Sequence, residues 1–131
     1  MHTRKEQMEA FGRFLDILDE LREKCPWDRK QTNESLRPNT IEETYELCDA
    51  LMKDDKKDIC KELGDVLLHV AFYAKIGSET GDFDIKDVCD KLHIRKYGAH
   101  GTSYRYISKK VAEMTNGEAR KVVVCHIGSG A

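Results

Sequence analysis

Apolar residues recur at helical spacing through the first two thirds of the chain. Met8, Phe11, Leu15, Leu18 and Leu21 follow one another at intervals of three and four. That spacing predicts a first helix, ended by Cys25-Pro26 because the residue before a proline is pushed out of the helical region. The stretch PWDRKQTNESLRP, with proline at both ends and polar between, predicts a loop. Asn39 with Glu42 three residues later reads as a capping box that opens a second helix, running to about Lys53. Its expected inner stripe is Ile41, Tyr45, Cys48 and Met52. A third helix is expected from near Asp55 to about Gly77, with Ile59, Leu63, Val66, Leu67, Val70 and Ala74 inward. Asp84 with Asp87 then opens a fourth, DIKDVCDKL, with Ile85, Val88 and Leu92 apolar. Connections this short favour antiparallel neighbours, so the prediction is an all-α helical bundle.

The texture changes near residue 93. Gly98, Gly101, Gly117, Gly128 and Gly130 crowd the remainder, and KVVVCHIG is a β-branched run that predicts a strand. A buried strand needs a partner, and no second strand is legible. The expectation is therefore two segments: a helical domain at 1–92, and an irregular α/β-like fragment at 93–131 that cannot complete its own fold.

Composition sharpens this division. Of 131 residues, 40% are hydrophobic and 35% charged, with only two prolines, which predicts a soluble globular chain rather than a disordered one. No apolar run approaches the roughly 18 residues of a membrane helix, and MHTRKEQMEAFGRFLDIL has no apolar signal-peptide core. A cytoplasmic protein without a membrane partner is expected. Residues 1–92 carry 15 Lys+Arg against 22 Asp+Glu, whereas residues 93–131 carry 7 against 2. An acidic body suits solubility or cation binding, and no basic patch interleaved with aromatics points to nucleic acid. The five cysteines (Cys25, Cys48, Cys60, Cys89, Cys125) are scattered, never spaced C-x-x-C, and read as reduced thiols filling the core rather than a zinc site.

Candidate chemistry lies in Glu42-Glu43-x-x-Glu46 and, one helix later, Glu62-x-x-Asp65. Residues three or four apart share a helix face, so Glu43 converges with Glu46 and Glu62 with Asp65. Two such pairs on antiparallel helices can face one cavity, where a hard divalent cation would relieve their repulsion. Magnesium or manganese fits an all-oxygen donor set. The same charges also match an ordinary solvated face with first-turn glutamates favoured by the helix dipole. Glu62 and Asp65 lie between Leu63, Val66 and Leu67, which favours the interface. Gly64 between them suggests close packing or ligand approach. His69 continues this stripe as either a partner of the metal ligands or a satisfied core histidine.

The string LREKCPWDRKQTNESLRPNTIEETYELCDAL followed by KELGDVLLHVAFYAKI resembles the MazG family over residues 5–92. The combination of C-P-W-D-x-x-Q-T, S-L-R-P, E-E-x-x-E and E-L-G-D-x-L is far more specific than any one motif. The resemblance implies an all-α, usually dimeric enzyme that hydrolyses nucleoside triphosphates to the monophosphate and pyrophosphate. By position it makes Glu43, Glu46, Glu62 and Asp65 the Mg2+ (or Mn2+) ligands, with Glu42 orienting or deprotonating the attacking water. Trp27 reads as a base-stacking residue or as a buried loop anchor, and Arg29, Lys30 and Arg37 as phosphate contacts. Family members continue with a basic K-L-x-x-R-H-P-H-type segment. That segment reaches the triphosphate, so Lys91 and Arg95, which are present here, are expected as further substrate contacts, but H-P-H is missing.

From residue 94 onward the chain resembles an internal segment of acetate kinase. IRKYGAHGTSYRYISKKVAEMTNGEARKVVVCHIGSGA is similar to that family's Y-G-F-H-G-T-S-H and C-H-x-G-N-G motifs, with His100 and His126 at active-site histidine positions. Ala99, Tyr104 and Ser129 depart from the pattern. Two resemblances in series imply a chimaera joined near residues 91–95. The functions to weigh are a nucleotide pyrophosphohydrolase, an acetate kinase-derived phosphotransfer for which these residues are not self-sufficient, and a non-catalytic helical binding module.

Overall fold

The computed structural model describes residues 1–91. The expected strand at KVVVCHIG, Leu92, Arg95 and the acetate kinase-like histidines lie outside the described residues. Five helices occur among those described: α1 (Arg4–Lys24), α2 (Pro26–Lys30), α3 (Asn33–Lys53), α4 (Lys56–Glu79) and α5 (Ile85–Asp90). The chain divides into two units, Met1–Asp82 and Phe83–Ala131, so α5 belongs to a different unit from the other four.

The expected α1 is present, opened by a capping box in which Thr3 Oγ1 accepts from the Glu6 N–H and the Glu6 carboxylate accepts from the Thr3 N–H. The predicted loop is not a loop. Pro26 occupies the first turn of α2, where its missing N–H costs nothing. The next helix starts at a Thr32–Ser35 capping box, seven residues before Asn39. Pro38 lies inside α3, although a proline there forfeits a hydrogen bond and costs about 3 kcal/mol. Tertiary packing offsets this. Leu36, one turn into the helix, is 2% exposed and belongs to the core with Leu18, Ala71 and Phe72.

Two residues, Asp54 and Asp55, join α3 to α4. Asp54 caps α3 in the left-handed conformation, and the Asp55 carboxylate accepts from the Lys57 and Asp58 N–H groups to open α4. The result is a tight antiparallel hairpin, in which α3 and α4 make the most extensive packing among the described helices. α4 ends where Gly81 takes φ 72°, so that the Gly81 and Asp82 N–H groups reach the Ser78 and Gly77 carbonyls. α1 lies along α4 in the same direction, tied by Lys75–Asp19 at 3.1 Å and Arg22–Glu79 at 2.8 Å. Phe14, Leu15, Tyr73 and Ile76 pack around the four core residues. α5 opens as expected, with Asp84 and Asp87 forming a capping box.

The inward faces differ from those expected. On α3 they are Leu36, Thr40, Glu43, Leu47 and Ala50, while Ile41, Tyr45, Cys48 and Met52 face outward. On α4, Ala74 is buried and Ile59 and Val66 half-buried, but Leu63, Leu67 and Val70 are exposed. A Cβ built on Gly64 meets nothing within 4 Å, so no close packing within this chain requires that glycine. The thiols are not core fillers either: Cys48, Cys60 and Cys89 are exposed and Cys25 half-buried, all unpaired.

Candidate metal centre

The inward spacing of α3 puts Glu43 on the same face as the core residues Leu36 and Ala50. Across the hairpin, Glu62 and Asp65 sit one turn apart on α4. One carboxylate oxygen from each of Glu43, Glu62 and Asp65 lies within 4.8 Å of the other two. Glu62 is 8% exposed, and its Oε2 is buried without a hydrogen-bond partner. A buried acceptor left unpaired costs about 1–3 kcal/mol, more when charged, so an occupant of the site is the natural partner. The donors are all carboxylate oxygens, which suits a hard divalent cation and not zinc.

Glu46 stands just outside this triad. It is exposed, yet neighbouring Glu43 first and Glu62 second raise its carboxyl above the ordinary value, so it shares the same negative field. It lines an open cleft of about 350 Å³ with Glu62, Tyr45, Asp49, Ala50 and Asp58. Glu42 is exposed and outside the triad. Three of the four expected ligands therefore converge, and the fourth flanks them.

Lys61 carries no sequence signal for this site beyond its i,i+4 spacing to Asp65. Its Nζ donates to Glu62 Oε1 at 2.8 Å and Asp65 Oδ2 at 3.1 Å. Those hydrogen bonds, Glu62's first, hold the ammonium above its ordinary pKa. A second polar group lies one turn beyond the carboxylates. Thr40 Oγ1 donates to the Leu36 carbonyl at 3.1 Å and contacts His69 Nδ1 at 2.7 Å and the Tyr73 hydroxyl at 2.5 Å. His69 is thus a buried, hydrogen-bonded histidine of the helix interface.

None of the expected nucleotide contacts belongs to the carboxylate triad. Trp27 is 56% exposed, which rules out a buried loop anchor. Arg29 and Lys30 on α2 and Arg37 on α3 are exposed. Lys91 is exposed in the second unit, and Arg95 is outside the described residues.

The profile of the MazG nucleotide pyrophosphohydrolase domain matches residues 31–99, taking in Glu42, Glu43, Glu46, Glu62 and Asp65. The chain belongs to this family. The chain is 44% identical over 95 residues to a nucleoside triphosphate pyrophosphohydrolase of Escherichia coli, covering 67% of this chain and 36% of that protein. It is 42% identical over 132 residues to the nucleoside triphosphate pyrophosphohydrolase/pyrophosphatase MazG of Thermotoga maritima, covering 95% of this chain and 51% of that protein. The chain thus spans between about a third and a half of these relatives. A separate match, 51% identical over 47 residues, joins 34% of this chain to 12% of acetate kinase 2 of Clostridium perfringens. The MazG domain is all-α among the described residues, and none of its described helices is long and apolar enough to cross a membrane.

Proposed function

We propose that this MazG domain hydrolyses nucleoside triphosphates to nucleoside monophosphate and pyrophosphate, with Mg2+ or Mn2+ held by Glu43, Glu62 and Asp65 and with Glu46 beside them. The observation that carries the reading is the buried, unpartnered Oε2 of Glu62 within a convergent carboxylate triad. Family membership and the activities for which the two pyrophosphohydrolase relatives are named agree with it. When bound, the cation would neutralise phosphate charge and lower the pKa of a bound water. The chain's own contribution is positioning. The two-residue link and the interlocked α3–α4 face fix the carboxylates from both helices, which is what phosphoanhydride hydrolysis chiefly requires. Glu42 is the assigned water-orienting residue, and Trp27, Arg29, Lys30 and Arg37 are assigned to the nucleotide.

The same reading includes a homodimer. Ile41, Tyr45 and Met52 on α3 and Leu63, Leu67 and Val70 on α4 form apolar faces that stay exposed beside the core of the described helices. A second copy of the chain is the occupant that the family resemblance implies. Light scattering coupled to gel filtration reads this directly, and a monomer at micromolar concentration would remove it. The acetate kinase match covers too little of that enzyme to supply a phosphotransfer site.

The activity is tested by incubating the protein with several nucleoside triphosphates and Mg2+ and separating the products. Monophosphate with pyrophosphate is expected, and Asp65→Asn should abolish both turnover and metal binding. Release of diphosphate and orthophosphate would refute the assignment. Metal binding with no turnover would instead favour a non-catalytic module.

A further inference from the structure

Arg22 has no place in the chemistry above, yet its guanidinium makes more directed contacts than any other side chain among the described residues. Nε and Nη2 donate to the two oxygens of Glu79 at 2.8 Å each, a bidentate pair linking the ends of α1 and α4. Nη1 donates to the backbone carbonyls of Asp28 at 2.6 Å, Arg29 at 3.2 Å and Gln31 at 3.0 Å. Its carbon face lies 5.7 Å from the Phe72 ring centroid, over the core. The side chain is 14% exposed.

The three carbonyls decide what this cluster does. α2 is a helix of five residues, so its last carbonyls lack intrahelical partners; the Asp28 carbonyl accepts from the Gln31 N–H only at 3.3 Å, longer than its 2.6 Å bond from Arg22. One guanidinium satisfies them and is itself locked by Glu79 and Phe72. Lysine has one nitrogen and no planar fork, so it cannot hold two carboxylate oxygens and three carbonyls at once. α2 packs only on α1 among the described helices and has no buried residue, so burial does not fix it. Hydrogen bonds hold it instead: three from Arg22, beside one from the Gln31 side chain to the Trp27 carbonyl at 3.0 Å.

We propose that Arg22 is the positioning residue of the nucleotide-contacting segment: with Glu79 it clamps α2 so that Trp27 is presented to the base, and Arg29 and Lys30 to the phosphates, in a fixed orientation. The proposal rests on the assignment of that segment to the nucleotide. Fourteen residues of α4 separate Asp65 from Glu79, about 21 Å of helix at 1.5 Å per residue. The clamp therefore acts at a distance from the carboxylates, and its loss should leave metal binding alone. Weaker binding that is common to ground and transition states raises KM while kcat stands.

Trp27 is the only tryptophan in the chain, so its fluorescence reports on this segment without labelling. The experiment compares the full-length wild type with Arg22→Lys and Glu79→Gln. It reads Trp27 anisotropy, the Mg2+-induced thermal shift, and KM and kcat for a hydrolysed nucleoside triphosphate. In Arg22→Lys, anisotropy should fall, KM should rise about tenfold, equivalent to about 1.4 kcal/mol, kcat should stay within about twofold, and the thermal shift should persist. Glu79→Gln keeps the arginine and its carbonyl bonds, so its changes should be smaller in the same direction. Unchanged anisotropy with unchanged KM in folded Arg22→Lys overturns the clamp. Lower anisotropy with unchanged KM overturns the assignment of α2 to the nucleotide. If kcat and the thermal shift fall together with KM unchanged, Arg22 acts on the metal site and the proposal is wrong. A wild type that never turns over refutes the pyrophosphohydrolase reading, while the anisotropy still decides the clamp. Should Arg22→Lys fail to fold, Glu79→Gln carries the same readouts.

Discussion

Replacing Glu62 by glutamine should make the metal-free protein more stable while removing its response to magnesium. The two effects have one cause. Glu62 is 8% exposed, one of its oxygens has no partner, and carboxylate oxygens of Glu43 and Asp65 lie within 4.8 Å. Two like charges at that separation repel by roughly 3 kcal/mol at an effective dielectric constant of about 20. Lys61 offsets much of this through its bonds to Glu62 and Asp65, and solvent screens Asp65, whose side chain is 38% exposed. A net gain of about 1 kcal/mol on removing the charge is the resulting expectation, worth roughly 4–8 °C in Tm for a domain of this size. The loss is larger. At a magnesium concentration about 100 times Kd, a bound ion stabilises the native state by about 2.7 kcal/mol, and the variant forfeits all of it. Thermal melts followed by circular dichroism, with EDTA and with MgCl2 at about 100 times the Kd titrated for the wild type, give four numbers that decide the matter. A metal-free Glu62→Gln that melts below wild type, or one that retains the magnesium shift, would refute the reasoning.

Thr40→Val leaves His69 and Tyr73 without their shared hydroxyl, so a loss of about 1–3 kcal/mol is expected in urea denaturation; a change under about 0.5 kcal/mol would show that the pair satisfies itself. Gly64→Ala meets open space within the chain and should stabilise α4 by about 0.5–1 kcal/mol. A lower Tm together with dissociation into monomers would instead place a second copy against that face. Hydrogen bonding to Arg22 holds the Glu79 carboxyl below its ordinary value of 4.5. A depressed folded pKa contributes stability that is complete above the unfolded value and is lost as pH falls through the folded one. The stability difference between wild type and Glu79→Gln should therefore shrink from pH 7 to pH 3 in denaturant titrations, and a difference constant with pH would exclude an ionic role for the clamp.

The carboxylates were legible because helical spacing alone brings Glu62 and Asp65 together, and a short turn brings Glu43 across from them. The faces of the helices were not. A stripe such as Ile41, Tyr45, Cys48 and Met52 looks the same whether it packs inside one chain or against another, and here the true inward face carries Thr40, Glu43, Glu62 and His69. Polar groups stand where pattern reading expects apolar ones, as the proposed function would require. The start of α3 was hidden for a different reason. Local rules at Pro38 favour a boundary, and only the burial of Leu36 against Leu18 and Phe72, remote in sequence, overrules them. Arg22 gave no signal at all, since its partners include backbone carbonyls and a residue 57 positions away.

The two-residue link between α3 and α4 has an evolutionary consequence. Glu43, Glu62 and Asp65 fall within one helical hairpin, so their meeting depends on neighbouring contacts and on no distant strand or domain. Local contacts form quickly and with little loop-closure entropy. The cation site proposed for so short a stretch of chain is portable: it can be copied, fused or embedded as a single piece, and the surrounding architecture can diverge without taking the carboxylates apart. Proteins up to about three times the length that this chain covers in them still align with the hairpin, as a part inherited whole would.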